Sequence, residues 1–266
     1  MEHLPVHLVL DVGNSRTKVA LYQGVGNALR WTTLANGDHI GLDHWLHGLV
    51  PDHAVHGSVA SHHPELDRFL TGLCPILEVS GTTPTPLRSA YATPHSLGAD
   101  RLANAVGAVG RFPGRPVLAV DAGTCITYDL VSAEGIHLGG AITPGMHLRA
   151  KAMNNYSARL PLVDPGPSPA VLGSDTHSSL SAGIHHGILN EVMGFITTYG
   201  HHRADLAVVL TGGDALRIAT GLKSGIFAHP LLTLEGFHAI LLYNLAHHSA
   251  PGGPLALGIP GPGSTG

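Results

Sequence analysis

At 266 residues, 44% of them hydrophobic and only 12% charged, the chain holds enough apolar material for one large domain or two of about 100–150 residues. A formal charge of -4, with the lysines and arginines scattered, offers no basic surface for nucleic acid, and no apolar run approaches the ~20 residues that cross a bilayer. Cys74 and Cys125, far apart, fit neither a disulfide framework nor a thiolate zinc site and are expected to be reduced and inert. The N-terminus lacks the basic start and long apolar run of a secretory leader, so a cytoplasmic protein is expected.

In chain order, LVLDVGNSRTKVALY (Leu8–Tyr22) predicts strands over 6–12 and 17–22 around a Gly13-Asn14 turn. AVHGSVA and ILEVS read as strands, with HPELDRFLTGL between them at helical spacing. The stretch SGTTPTPLRSAYATPHSLGAD, crowded with Gly, Pro, Ser and Thr, predicts a long exposed loop, and long loops in compact domains tend to be functional. ADRLANAVGAVGRF then predicts a helix with Leu102, Val106 and Val109 on one stripe, ended by PGRP.

VLAVDAGTCITYDLV (Val117–Val131) lays the first pattern down again, an internal repeat that divides the chain near Gly114. A strand running into a Gly- and Pro-containing turn follows in GIHLGGAITPG. A helix over LRAKAMNNYSARLP leads to a Pro-rich loop reaching Gly173. SSLSAGIHHGILNEVMGFITTYG predicts a long helix whose stripe of Ile184, Ile188, Met193 and Ile196 is either core or a dimer face. LAVVLTGGDALRIA reads as a buried strand, a Gly-Gly turn and a helix start. The expected layout is domains over 1–114 and 115–250, then a disordered Gly/Pro-rich tail over 251–266. The 21 histidines, several in adjacent pairs, show no H-E-x-x-H pattern and are expected to reflect surface composition.

In each repeat an apolar strand ends at an aspartate, Asp11 or Asp121, two positions before a glycine, Gly13 or Gly123. Glycine permits a tight turn that exposes backbone N–H groups to an anion, and Ser15, Thr17, Thr124 and Thr127 can donate to phosphate oxygens. The carboxylates would repel phosphate unless a hard cation stood between. Lys18 either supplies a point charge to the phosphates or is a solvated residue of the strand face. No G-x-x-x-x-G-K-[ST] is present, and GVGNAL lacks the glycines and the context of a dinucleotide loop.

DVGNSRTK and DAGTCITYD resemble the two phosphate motifs of the superfamily of acetate and sugar kinases, heat-shock chaperones and actin, and LTGGDA (Leu210–Ala215) resembles its adenosine motif. Tyr91 followed by Gly98-Ala99-Asp100-Arg101 is similar to the substrate segment of type III pantothenate kinases. GGAITPGM and GSDTHSSLSAGIHHGI resemble that family in the expected order. The resemblance implies an α/β fold of two duplicated ribonuclease H-like domains with an ATP cleft between them. It implies that Asp11, Val12, Gly13, Asn14, Ser15, Arg16, Thr17, Lys18 and Thr124 hold ATP, with Asp11 near Mg2+ and Asp121 binding a monovalent cation, K+ or NH4+. Tyr91, Gly98, Ala99, Asp100 and Arg101 would hold pantothenate, joined by Thr176 from the partner subunit of a homodimer, and Asp100 would accept the proton. Cys125 stands where the family commonly has alanine.

Other readings of these residues stay open on sequence alone. Asp100 and Thr176 suit helix N-caps, Arg101 a surface ion pair, and Tyr91 a stacking residue under its loop. Phosphoryl transfer needs positioning, charge stabilisation and a carboxylate to orient the attacking hydroxyl, which is how Asp100 would serve. Rival functions are a sugar kinase of the same superfamily and a regulator that keeps the fold without catalysis. The short Tyr91 to Arg101 segment argues against the first, and the intact aspartates and hairpins against the second.

Overall fold

The computed structural model describes residues 4–58, 63–164, 166, 168–222 and 226–248. The expected tail over 251–266 and the end of the expected AVHGSVA strand lie outside them. Contacts divide the described residues into two compact units: those within 4–86, 92–107 and 233–248 form the first, and those within 87–91 and 108–232 the second.

The first unit begins with an antiparallel meander, β1 (Val6–Val12), β2 (Arg16–Gln23) and β3 (Ala28–Ala35). Helix α1 (His39–Leu46) leads to β4 (His53–Ser58), and α2 (Pro64–Leu73) to β5 (Ile76–Glu78), giving a sheet of order β3-β2-β1-β4-β5 with β4 and β5 parallel to β1. Alternation along β1 fixes the two faces. Leu8, Leu10 and Val12 pack with Leu42, Leu46, Leu66 and Leu70 of α1 and α2. His7, Val9 and Asp11 take the opposite face.

A short edge strand, β6 (Arg88–Ser89), interrupts the exposed loop and belongs to the second unit's sheet. Helix α3 (Ala99–Arg111) follows. Instead of one stripe, residues 101–108 are all buried. Small side chains, Ala103, Ala105, Gly107 and Ala108, make that two-sided packing feasible.

The second unit repeats the first. Strands β7 (Val117–Ala122), β8 (Cys125–Val131) and β9 (Ile136–Pro144) form the meander; α4 (Met146–Asn155) and α5 (Thr176–Gly200) lead to β10 (Ala207–Thr211), and α6 (Ala215–Gly221) to β11 (Ile226–Ala228). The order β11-β10-β7-β8-β9 mirrors that of the first sheet, with β6 added at the β9 edge. Ile184, Ile188 and Val192 of α5 lie in this unit's core, so the α5 stripe is core there. Glu191 ties the GGAITPGM segment to α5 by accepting hydrogen bonds from Tyr128 (2.9 Å), Thr143 (2.7 Å) and Arg149 (2.7 Å).

Two expectations need correction. The last helix, α7 (Leu232–His248), packs in the first unit from Thr233 onward, so the units are not the consecutive halves that a cut near Gly114 implies. The cause is its fit to α3: Thr233 donates to Asn104 (2.9 Å), and Gly236 lies so near the Ala103 carbonyl that any side chain would overlap it. The histidines are not only surface composition. His7, His137, His185 and His238 are buried, and in the first unit His7 Nδ1 and His238 Nε2 are 3.0 Å apart while His238 stacks on Tyr22. Burial and His7 together push His238 down to about 4.

Candidate active site

The first hairpin turns through Gly13–Arg16, the residues between the paired Val12 and Thr17. The Gly13 N–H closes the turn on the Arg16 carbonyl (3.1 Å), so it is not presented to an anion. The exposed tip is Asn14, Ser15 and Arg16. Thr17, expected at the phosphates, faces inward. It is 2% exposed, and its hydroxyl donates to Asn36 Oδ1 at 3.0 Å, because β3 brings Asn36 alongside. Asn36 Nδ2 in turn donates to the Gly13 carbonyl at 2.7 Å. Lys18 stands directly across the ladder from Asp11.

Asp11 is half-buried on the face opposite α1 and α2, in register with Gly57 of β4. Gly57 admits two helices at once: a Cβ there would overlap Phe237 of α7 and stand 2.9 Å from the Ala99 Cβ of α3. The Gly98–Arg101 segment is thereby brought onto the Asp11 side of the sheet, within one unit. Asp100 occupies the first turn of α3, where the helix dipole favours a carboxylate. Its Oδ1 accepts the N–H of Arg101 at 2.8 Å, whereas an N-cap carboxylate would reach two or three residues onward. Arg101 is 5% exposed, so it is not a surface residue, and its withdrawal from solvent strengthens any charge contact it makes.

In the second unit the hairpin loop is one residue shorter, Gly123–Cys125, closed by the Gly123 N–H on the Cys125 carbonyl (2.9 Å). That shift alters which side chains share a face. Thr127 of β8 and Thr211 of β10 are both in register with Asp121, one on either side. Both hydroxyls are buried and lack a hydrogen-bond partner among the described residues. Two orphaned oxygens flanking a carboxylate form a set of oxygen donors suited to a hard cation. Gly212, at φ +91°, carries the chain past so closely that a Cβ would overlap the Asp121 carboxylate. This accounts for the glycine in LTGGDA. Exposed Thr124 forms the hairpin tip, and its carbonyl accepts the N–H of Gly145, the N-cap of α4, at 3.0 Å.

Tyr91 stacks on His137 of β9, centroids 5.9 Å apart at 18°. His137 donates from Nε2 to Asp129 at 2.9 Å, both fully buried. The structure does not bring Tyr91 to Thr124. Tyr91 lies over Gly139, while the hairpin neighbours Pro144, five residues on along β9, roughly 17 Å at strand spacing. Thr176 opens α5 and is exposed; the N-cap is Asp175, in a capping box with Ser178, so the Thr176 hydroxyl has no capping duty. Asn36 and Thr211 had no signal in local sequence, since each acquires its place only through strand register, and Thr127, read as a phosphate donor, takes its place beside Asp121 by the same register.

A family model for type III pantothenate kinase matches residues 7–198. The chain belongs to the type III pantothenate kinase family. A type III pantothenate kinase of Christiangramia forsetii is 38% identical over 241 residues, covering 90% of this chain and 99% of that one. Among solved structures, a Campylobacter jejuni chain described as a Baf family transcriptional activator aligns with TM-score 0.60 at 23% identity, covering 90% of this chain and 99% of the other. A Clostridium difficile activator of 2-hydroxyisocaproyl-CoA dehydratase with bound ADPNP aligns at 0.54 and 14%, covering 92% and 96%. At such identities the likeness is one of fold, and it agrees with two duplicated ribonuclease H-like units. For the type III pantothenate kinase family this explains why the two hairpins recur at equivalent places in their sheets.

Proposed function

We infer that this chain transfers the γ-phosphoryl group of ATP to the primary hydroxyl of pantothenate, the first step towards coenzyme A. The family match over residues 7–198 carries the reading, and the presence of an aspartate in the first turn of α3, on the Asp11 face, supports it. Asp100 orients the hydroxyl and takes its proton as the bond to phosphorus forms. Arg101 clamps the pantothenate carboxylate in the bidentate way a lysine could not. The exposed tip of the first hairpin and Thr124 contact the phosphates. Asp11 holds Mg2+ on the triphosphate, and Asp121 holds a monovalent cation, K+ or NH4+, with Thr127 and Thr211 as further oxygen donors. These ions neutralise phosphate charge when bound.

The enzyme works as a homodimer in which Thr176 reaches the partner's substrate. Exposed Tyr156, Leu162, Val171 and Leu172, in the segment before α5, support an apolar contact there. The cytoplasm, rich in ATP and potassium, suits this chemistry. Asp100→Asn tests the central role: transfer is expected to fall by about 100-fold or more while nucleotide binding and melting temperature stay near wild type. Undiminished turnover would remove Asp100 from the mechanism.

A further inference from the structure

We propose that Asn36 is a positioning residue which holds the Gly13–Arg16 loop in the shape that receives the ATP triphosphate. This rests on the reading of that hairpin as phosphate-binding. Asn36 follows directly on the last residue of β3, whose final pair is Arg16 with Ala35, so the ladder delivers it to the loop. The next turn fixes it from the other side: the Asp38 N–H bonds to the Ala35 carbonyl (3.3 Å), and Gly37 takes φ +76°. Both ends of the amide are then used. Nδ2 donates to the Gly13 carbonyl at 2.7 Å and Oδ1 accepts from the Thr17 hydroxyl at 3.0 Å, so one side chain spans the start and the end of the loop.

The second hairpin shows why the first needs a clamp. Its shorter loop is closed by the Gly123 to Cys125 hydrogen bond and braced by the main chain, the Gly145 N–H donating to the Thr124 carbonyl. Thr127, six residues after its aspartate as Thr17 is, has no hydrogen-bond partner among the described residues and stands across the ladder from Asp121, where the first hairpin has Lys18 across from Asp11. The longer, exposed first loop has more conformations to lose on binding, and a preset loop spares nucleotide that ordering cost. Asn36 therefore governs nucleotide affinity rather than the acceptor site.

The test measures KM for ATP and for pantothenate, ADP binding by calorimetry, and melting temperature in the full chain for Asn36→Ala, Asn36→Asp, Thr17→Val and the Asn36→Ala/Thr17→Val pair. Asn36→Ala is expected to raise the KM for ATP and weaken ADP binding about tenfold, the order for losing two modest hydrogen bonds, with the pantothenate KM within about twofold. Asn36→Asp should do worse, since it sets a carboxylate oxygen against the Gly13 carbonyl. The double variant should bind ADP no more weakly than Asn36→Ala, because both changes cut one network.

Unchanged nucleotide affinity in folded Asn36→Ala overturns the proposal, as does an equal loss for both substrates that tracks melting temperature. Should Asn36→Ala fail to fold, Thr17→Val, which cuts one of the two bonds, decides alone: a nucleotide affinity equal to wild type overturns the clamp. A wild-type protein that binds no nucleotide would instead sink the reading of the hairpin itself.

Discussion

Thr17 and Thr127 each stand six residues after the aspartate of their repeat, yet they serve different ends. The first is paired with Val12 and tied to Asn36, the second with Asp121 beside an orphaned Thr211. The aspartates and glycines of the site were legible in the sequence because turn chemistry is local. The threonines were legible as candidates but not in their placement, because a loop one residue shorter changes the pairing partner, and pairing decides the face. The buried histidines were equally hidden, since no local pattern separates them from the exposed ones. They make a testable residue-scale claim. His238 is neutral in the fold down to about pH 4, whereas the unfolded side chain takes its proton near the ordinary 6.5. Unfolded chain thus binds more protons between those values, so the contribution of this group is constant above about pH 6.5 and falls below it, by at most about 1.4 kcal/mol per pH unit. His7, also lowered by burial, adds to the slope, while Glu235 and Asp52 oppose it. Urea midpoints at pH 7 and pH 5 should converge in His238→Gln relative to wild type. An identical pH slope in the two proteins would contradict this account.

At the scale of elements, the hairpins, α3, α5 and the β10 turn could be read from alternation, helical spacing and Gly-Gly punctuation. Strand β3 and helix α1 could not. Strand β3 is an edge that exposes Leu29 and Trp31 on one face and sets Arg30 and Thr32 on the half-buried other, so apolar residues do not mark its inner face as they do in an ordinary half-buried strand. Its loss from the sequence reading also concealed Asn36. The α3–α7 contact depends on glycine rather than on hydrophobic pattern: at Gly236 the helix backbone approaches the Ala103 carbonyl with no room for a methyl. Gly236→Ala is therefore expected to destabilise the protein by about 1–3 kcal/mol, even though alanine gains up to about 1 kcal/mol in helix propensity. Denaturant titration reads this directly, and a stabilised variant would show that α7 does not pack so closely.

For the whole molecule, the two sheets share the order meander, then two parallel strands, and each places its aspartate on the face away from the first pair of helices that follows the meander. Duplication was visible in fifteen-residue stretches of sequence; the return of α7 to the first unit was not, because its partner α3 lies more than a hundred residues earlier. Membership of the type III pantothenate kinase family makes the chain a pantothenate kinase. The most direct measurement is ADP release with pantothenate, ATP and magnesium, run in potassium and in sodium beside a panel of sugars. The account predicts stoichiometric ADP and phosphopantothenate in potassium, a marked drop in sodium, and no turnover of the sugars. Equal rates in both salts would remove the cation from Asp121, and phosphorylation of a sugar in place of pantothenate would contradict the proposed activity.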